Sequence, residues 1–266
     1  MCKRFVLLFL IVNVVNNNNF AQGKYVDSLM NWIDMHPVVD SQYIHTLHRI
    51  SYRLSEKDVK KSFQYYEKVS ALSDSLNFTF GKSLAQINIG ILLFNSASFD
   101  ASNNAFFKAI DYAEICGALR LKSVALNNIG DNFLSLRNFE KCRQYTCKAI
   151  PINIKLKAWR GAAINYELLH RFDLSQKLYS NAKIKLLKGM PFALLANESY
   201  IFSQYSLGFG KLNALANNFD SAKYYFQKAI SEAMLQNDLR NEFQAYLGES
   251  QYLVNIAPKR KLILLD

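Results

Sequence analysis

Glycine and proline are scarce in this chain, at ten and four of 266 residues, and that scarcity excludes a turn-rich β-sandwich in favour of long helices. Charge is also thin. Only 20% of residues are charged against 50% hydrophobic, enough apolar side chain to bury a sizeable core. Acidic residues are the scarcer sign, 21 against 32 basic, giving a formal charge of +11. The basic excess is spread along the chain, and its one tight cluster is Lys259-Arg260-Lys261. With no nucleic-acid motif beside it, a scattered excess describes a solvated surface, so no nucleic acid is expected as a partner.

Cysteines number four, and Cys2 stands ahead of an apolar run rather than after it, so it does not fit a lipid-attachment site. Of the other three, Cys142 and Cys147 are five apart and project about 140° from each other on a helix, poor geometry for a disulfide. Cys116, Cys142 and Cys147 are therefore expected as small buried residues. Long apolar runs are missing too: after Phe5–Val15 no segment reaches the roughly twenty residues a membrane span needs.

That first run sits in a telling order. Lys3-Arg4 is basic, Phe5–Val15 is apolar except for Asn13, and Asn16–Asn19 is polar, followed by Phe20-Ala21-Gln22-Gly23. This is the layout of a secretory signal peptide over residues 1–22, and it predicts an exported, periplasmic or envelope-associated protein.

Catalytic chemistry is equally absent. Gly81-Lys82-Ser83 resembles the end of a phosphate loop, but the position that should hold its first glycine is Leu76, so it is read as a helix start. Gly208-Phe209-Gly210 is a lone glycine pair. His45 and His48 lie three apart on a predicted helix, yet no Glu-x-x-His pattern or cysteine cluster completes a metal site. No nucleophile stands at a recognisable spacing from a base. No catalytic, cofactor-binding or metal-ligating residue is assigned, and no cofactor is expected.

What is present is a period of forty. Positions 90, 130 and 210 are glycine, with His170 in the remaining slot. Nine residues later come Phe99, Phe139, Tyr179 and Phe219. Ser102, Cys142, Ala182 and Ala222 follow, all small; then Phe106, Thr146, Leu186 and Phe226; then Ala109, Ala149, Gly189 and Ala229. Val59, Ser62, Tyr66 and Val69 fill the matching slots of a fifth, weaker unit. Within each unit the small, large and small residues fall at i, i+4 and i+7, one face of a helix. The glycine lies on a preceding helix, where it lets the two approach. Turn residues fall between them, at Asn95-Ser96-Ala97-Ser98, Ser135-Leu136-Arg137-Asn138 and Asn217-Asn218. Each unit is thus a helical hairpin whose apolar face needs a neighbour. Pro151 is expected to cut the second helix of its unit short or to kink it.

These stretches, with Asn88-Ile89-Gly90, Asn128-Ile129-Gly130, Phe99-Asp100-Ala101-Ser102 and the Lys-Ala-Ile triplets at 108–110, 148–150 and 228–230, resemble the tetratricopeptide repeat family. The resemblance implies an all-α fold without β-sheet: a right-handed solenoid of antiparallel helix hairpins, a tetratricopeptide-like superhelix. It covers residues 43–256 as about five repeats and a capping helix, with a helical lead-in at 23–42 and a short basic and apolar tail at 257–266. The period is forty where the family has thirty-four. Armadillo and HEAT repeats also run near forty but lack the glycine-to-aromatic spacing. Long repeats behind a signal peptide are similar to the exported sensor region of bacterial histidine kinases and LuxR-type regulators. There a membrane helix and a signalling domain follow; a stand-alone relative and a truncated one both remain open.

In the tetratricopeptide frame, positions flanking the glycine face a concave groove. Here they are Asn88, Asn127, Asp131, Glu167, Arg171, Gln204 and Lys211, a polar lining of both signs fit for an extended peptide or a partner helix. The expected function is a non-enzymatic protein- or peptide-binding scaffold, serving as the extracytoplasmic sensing part of a bacterial signalling system. The alternative is a cytoplasmic, peptide-responsive regulator in which Phe5–Val15 forms a core helix. N-terminal sequencing of the mature protein separates the two: export predicts a start close to Gly23, and an intact Met1 or Cys2 supports the regulator.

Overall fold

The structure, a computed structural model, describes residues 24–55, 58–235 and 242–251. The signal segment at 1–22 and the tail at 257–266 lie outside the described residues. Among the described residues every regular element is a helix, as the scarcity of glycine and proline requires. In chain order they are α1 (24–35), α2 (Ser41–Leu54), α3 (Val59–Ser75), α4 (Thr79–Asn95), α5 (Phe99–Ile115), α6 (Leu119–Ser135), α7 (Phe139–Lys155), α8 (Trp159–Ser175), α9 (Tyr179–Ala196), α10 (Ser199–Leu215), α11 (Phe219–Leu235) and α12 (242–251).

The forty-residue period is two equal halves. From α4 to α11 a helix begins every twenty residues, and all but the slightly longer α9 have 17 residues. Each turn is closed by one residue in the left-handed region, at 77, 97, 117, 137, 157, 177, 197 and 217. At the end of α4 the Ala97 N–H donates to the Phe94 carbonyl and the Ser98 N–H to the Leu93 carbonyl, both at 2.9 Å. This Schellman pairing satisfies carbonyls that a helix end otherwise leaves open. The same pair recurs at the ends of α3, α5, α6, α7, α8 and α10. Only Gly117 adopts its positive φ without a side chain. Asparagine at 77, 197 and 217 tolerates the region well, whereas Ala97, Arg137, Lys157 and Lys177 each bear a steric cost of about 1–2 kcal/mol.

The chain divides into two compact units, one up to Ala125 and one from Leu126. In the first, Val26 and Leu29 of α1 pack with Ile50, while Ile44, Leu47, Val69 and Ala85 form a second cluster. The lead-in thus contributes a helix to the core. The hairpin of α2 and α3, the weak fifth repeat, is tied by reciprocal bonds: Ser51 Oγ donates to the Ser62 carbonyl at 2.6 Å and Ser62 Oγ to the Ser51 carbonyl at 2.9 Å. In the next hairpin Gly90 lies against the Phe106 ring, and Ser102 Oγ donates to the Gly90 carbonyl at 2.7 Å. Ser83 Oγ donates to the Ala109 carbonyl at 2.8 Å. In the second unit Gly210 lies against Phe226, and Ser203 Oγ donates to the Ala229 carbonyl at 2.9 Å, repeating the Gly90–Phe106 contact and the Ser83 bond three periods later.

The hairpin of α8 and α9 departs from this plan through compensated exchanges. His170 occupies the glycine slot, and the residue opposite shrinks from Phe to Leu186. Gly208 on α10 then leaves room for the imidazole: a Cβ there would meet His170 Nε2 at 2.9 Å. The Gly208-Phe209-Gly210 pair is therefore two packing glycines, one per neighbour. Gly189, where other units carry Ala, clears space for Tyr205, which stands where Ala85 and Ala125 stand. Tyr205 OH donates to the Ala163 carbonyl at 2.9 Å.

Two expectations are corrected. Pro151 does not shorten its helix; α7 continues to Lys155. Its ring is on the exposed side, where the carbonyl it deprives of a partner reaches water, and Pro191 takes the same slot in α9. Of the three cysteines only Cys142 is buried, with burial raising its thiol pKa to about 11, while Cys116 and Cys147 are exposed. None is in a disulfide.

A Cβ at position 90 would meet the Phe106 ring at 2.6–2.9 Å. Gly90→Ala should gain up to about 1 kcal/mol in helix propensity and lose about 1–3 kcal/mol to overpacking. The expected net is a lower melting temperature, with recovery in the double variant Gly90→Ala/Phe106→Leu.

Candidate binding site

The first helices of the second unit's hairpins, α8 and α10, with the last residues of α6, bring most of the groove residues together. Asp131 on α6, Glu167 and Arg171 on α8, and Lys211 on α10 share one polar cluster. Arg171 Nη2 donates to Asp131 Oδ1 at 2.6 Å, and Arg171 Nη1 stands 3.7 Å from Glu167 Oε2, one helical turn away. The Arg171 and Asp131 side chains are 39% and 31% exposed, whereas Glu167 is 8% exposed. The cluster therefore has an open rim and a dry floor.

Its electrostatics follow from that gradient. Burial raises the Glu167 pKa above the usual carboxylate value, and Arg171 offsets only part of the effect. Burial lowers that of Lys211, with Glu167 opposing. Burial also works against the Arg171 charge, but the carboxylates of Asp131 and Glu167 outweigh it and hold the guanidinium firmly protonated. Beneath the cluster, His170 Nδ1 is 3.1 Å from the Ala182 carbonyl, so this nitrogen carries the proton. Burial lowers the His170 pKa to about 4, and the imidazole is neutral at physiological pH.

The remaining groove residues behave differently. Asn127 accepts from Asn165 Nδ2, and Asn165 Oδ1 accepts from Asn153 Nδ2 at 2.7 Å, an amide ladder running inward across α6, α8 and α7. Gln204 Nε2 donates to Tyr200 OH at 2.9 Å on its own helix. Asn88 belongs to the first unit and is buried; its amide nitrogen donates to the Leu84 carbonyl at 2.7 Å and to His48 Nε2 at 2.8 Å. That contact absorbs one of the His45 and His48 pair, and burial lowers both pKa values, His48 to about 4. Among the described residues no group of three His, Cys, Asp or Glu is placed to hold a metal. Gly81-Lys82-Ser83 lies in the opening turns of α4, a helix start as expected.

Sequence reasoning missed the cleft beside Arg171. It has a volume of about 480 Å³ and is lined by Leu134, Ser135, Arg137, Phe139, Arg171 and Ser175. Arg137 is the left-handed residue of its turn, a slot that the repeat marks as loop and not as site. The cleft offers two guanidinium groups, two hydroxyls and an aromatic edge.

No family profile matches this chain, and no characterised protein matches it in sequence. Solved structures do match in fold. BtubC from P. vanneervenii aligns with a TM-score of 0.63 at 16% identity, over 82% of this chain and 90% of that one. Aspartyl phosphate phosphatase F from Bacillus subtilis aligns at 0.65 and 14% identity, over 83% of this chain and 59% of that one. A signal-transduction ATPase with numerous domains and a tetratricopeptide repeat sensor, from Pyrococcus horikoshii, aligns at 0.60 and 15% identity, over 96% of this chain and 43% of that one. The class is accordingly an all-α, tetratricopeptide-like helical-repeat solenoid. At such identities the likeness carries the fold alone.

Removing the guanidinium should expose the cost of the buried acid. Arg171→Ala is expected to lose about 1–3 kcal/mol of stability at pH 8. With the Glu167 pKa raised, the native state holds the proton longer than the unfolded chain, so stability falls as pH rises through the window above the ordinary carboxylate value. The deficit should therefore shrink at pH 5, and Arg171→Ala/Glu167→Gln should recover most of it, both measured by thermal melts.

Proposed function

We propose that this protein is a non-enzymatic scaffold that binds a protein or peptide partner on the face made by α6, α8 and α10, with Arg171 at its centre. The carrying observation is the Asp131–Arg171–Glu167 cluster: a guanidinium held in place by two carboxylates, half open at its rim, next to a cleft large enough for a side chain. Such a cluster is preorganised, so a partner's polar groups meet fixed charges instead of ordering long side chains. Its two signs suit a backbone or a mixed-charge segment better than a polyanion. The fold supports the reading as well, since stacked hairpins present extended surfaces of this kind.

The extracytoplasmic sensing role rests on the signal-like order of the first 22 residues. The cytoplasmic, peptide-responsive alternative uses the same face. No activity is carried over from the phosphatase of similar fold.

Partner capture from an envelope extract tests the proposal. The wild-type chain should retain a partner that Asp131→Ala, Arg171→Ala and Lys211→Ala each weaken, by roughly tenfold for a lost charged contact in a desolvated setting. Unchanged recovery with all three variants, folded by circular dichroism, would remove this face from consideration.

A further inference from the structure

The second helix of the divergent hairpin, α9, is apolar on both sides. Its inner face buries Ala182, Leu186, Gly189 and Ala193. At 100° per residue the opposite face carries Ile184, Leu187, Pro191, Leu194 and Leu195. Ile184, Leu187, Leu194 and Leu195 are 46%, 53%, 62% and 58% exposed. The repeat supplies its own control for this pattern. The slots of Ile184 and Leu187 hold Gln144 and Cys147 on α7, and those of Pro191 and Leu194 hold Asp111 and Glu114 on α5. On α11 the Leu187 and Pro191 slots hold Gln227 and Ser231. Exposed apolar residues also stand in some slots of the other second helices, Ile115 on α5, Ile154 on α7 and Tyr224, Met234 and Leu235 on α11. However, α9 alone among these four helices has apolar side chains in all five slots and no acidic residue.

Charge completes the picture. Lys183 and Lys188 flank the stripe on its two sides, both exposed, and Lys177 stands in the turn just before it. A helix with an aliphatic stripe bordered by lysines has the design of a segment lying in a membrane interface, its apolar side chains at the acyl boundary and its ammonium groups among anionic headgroups. We infer that the outward face of α9 docks the protein on an anionic lipid surface.

The alternative occupant, an acidic protein, fits less well. The stripe is about 17 Å long and one helix wide, on the order of 170 Å², well below the roughly 800 Å² that each partner buries in a stable protein interface. Of its composition, Leu is under-represented among protein hot spots, where Trp, Tyr and Arg dominate, and Lys is depleted at protein interfaces. A bilayer sets no such minimum area and rewards this composition. The surface is separate from the Arg171 cluster, so either can fail without the other.

The test is flotation of the full-length chain with vesicles of phosphatidylcholine containing one third phosphatidylglycerol. Leu187→Glu/Leu194→Glu should lower vesicle partitioning at least tenfold, while Gln227→Glu on α11, a charge change of the same kind elsewhere, should not. Pure phosphatidylcholine or high salt should weaken binding by a similar factor. Because Phe5–Val15 also meets lipid in this assay, oxidative footprinting gives an independent readout: Leu187, Leu194 and Leu195 should become protected on anionic vesicles. Unprotected leucines, equal partitioning of the double variant, or protection produced only by an acidic protein would each overturn the inference.

Discussion

The repeat depends on the two helix backbones of a hairpin coming close together. At Gly90 and Gly210 a ring fills the space a Cβ would need, and at Gly130 the Thr146 side chain does. In the hairpin of α4 and α5 the Phe106 ring occupies the space a Cβ at position 90 would need, and Gly210 repeats the arrangement with Phe226. At that separation a buried serine can reach across: Ser102 bonds the Gly90 carbonyl and Ser83 the Ala109 carbonyl. The two serine hydroxyls therefore share the interface without being left unsatisfied. In this hairpin the large residue, the glycine and the serine fit together, whereas the hairpin of α10 and α11 keeps the glycine and the ring with Ala222 in the serine slot.

The hairpin of α8 and α9 shows what such an exchange looks like. Histidine replaces glycine at 170, and the volume it adds is absorbed by Leu186 and Gly208; Tyr205 adds volume that Gly189 absorbs. The same hairpin carries the buried Glu167, the Arg171 cluster, the amide ladder through Asn165 and the apolar outer face of α9. Where the packing code is least repeated, the chemistry is most distinctive. Local departures from a consistent pattern are where function is usually lodged.

Much of the fold could be read before any coordinates. The forty-residue register placed the hairpins, the turn near Ala97 and Arg137, and the small slots at Ser102, Cys142, Ala182 and Ala222, because each slot's residue type answers a steric demand that recurs. The site was less legible. Asn88 stands two residues before a repeat glycine and Asp131 one after, three places apart in the repeat frame and so on one helix face. Yet the first is buried against His48 and the second meets solvent, because the register sets the face and not the depth. Asn165 was hidden in a slot that holds Ala85, Ala125 and Tyr205 in other units, and Arg137 in a turn. Pro151 misled as to helix length only, and α7 runs on to Lys155. A proline inside a helix removes one hydrogen bond without ending the hydrogen-bonded ladder on either side. Cys116 and Cys147 misled for the opposite reason, as a small side chain carries little information about depth.

The twenty-residue beat of left-handed turns bears on how the chain acquires its structure. The bonds that define each hairpin join residues 11 to 26 positions apart, and the longest ties between neighbours, such as Asp131 to Arg171, span one repeat. Loop closure over such distances is cheap, and a low mean separation of contacts favours rapid formation. A hairpin can therefore close as soon as its second helix has been synthesised and then serve as the template for the next, so assembly within each unit proceeds by extension along the chain.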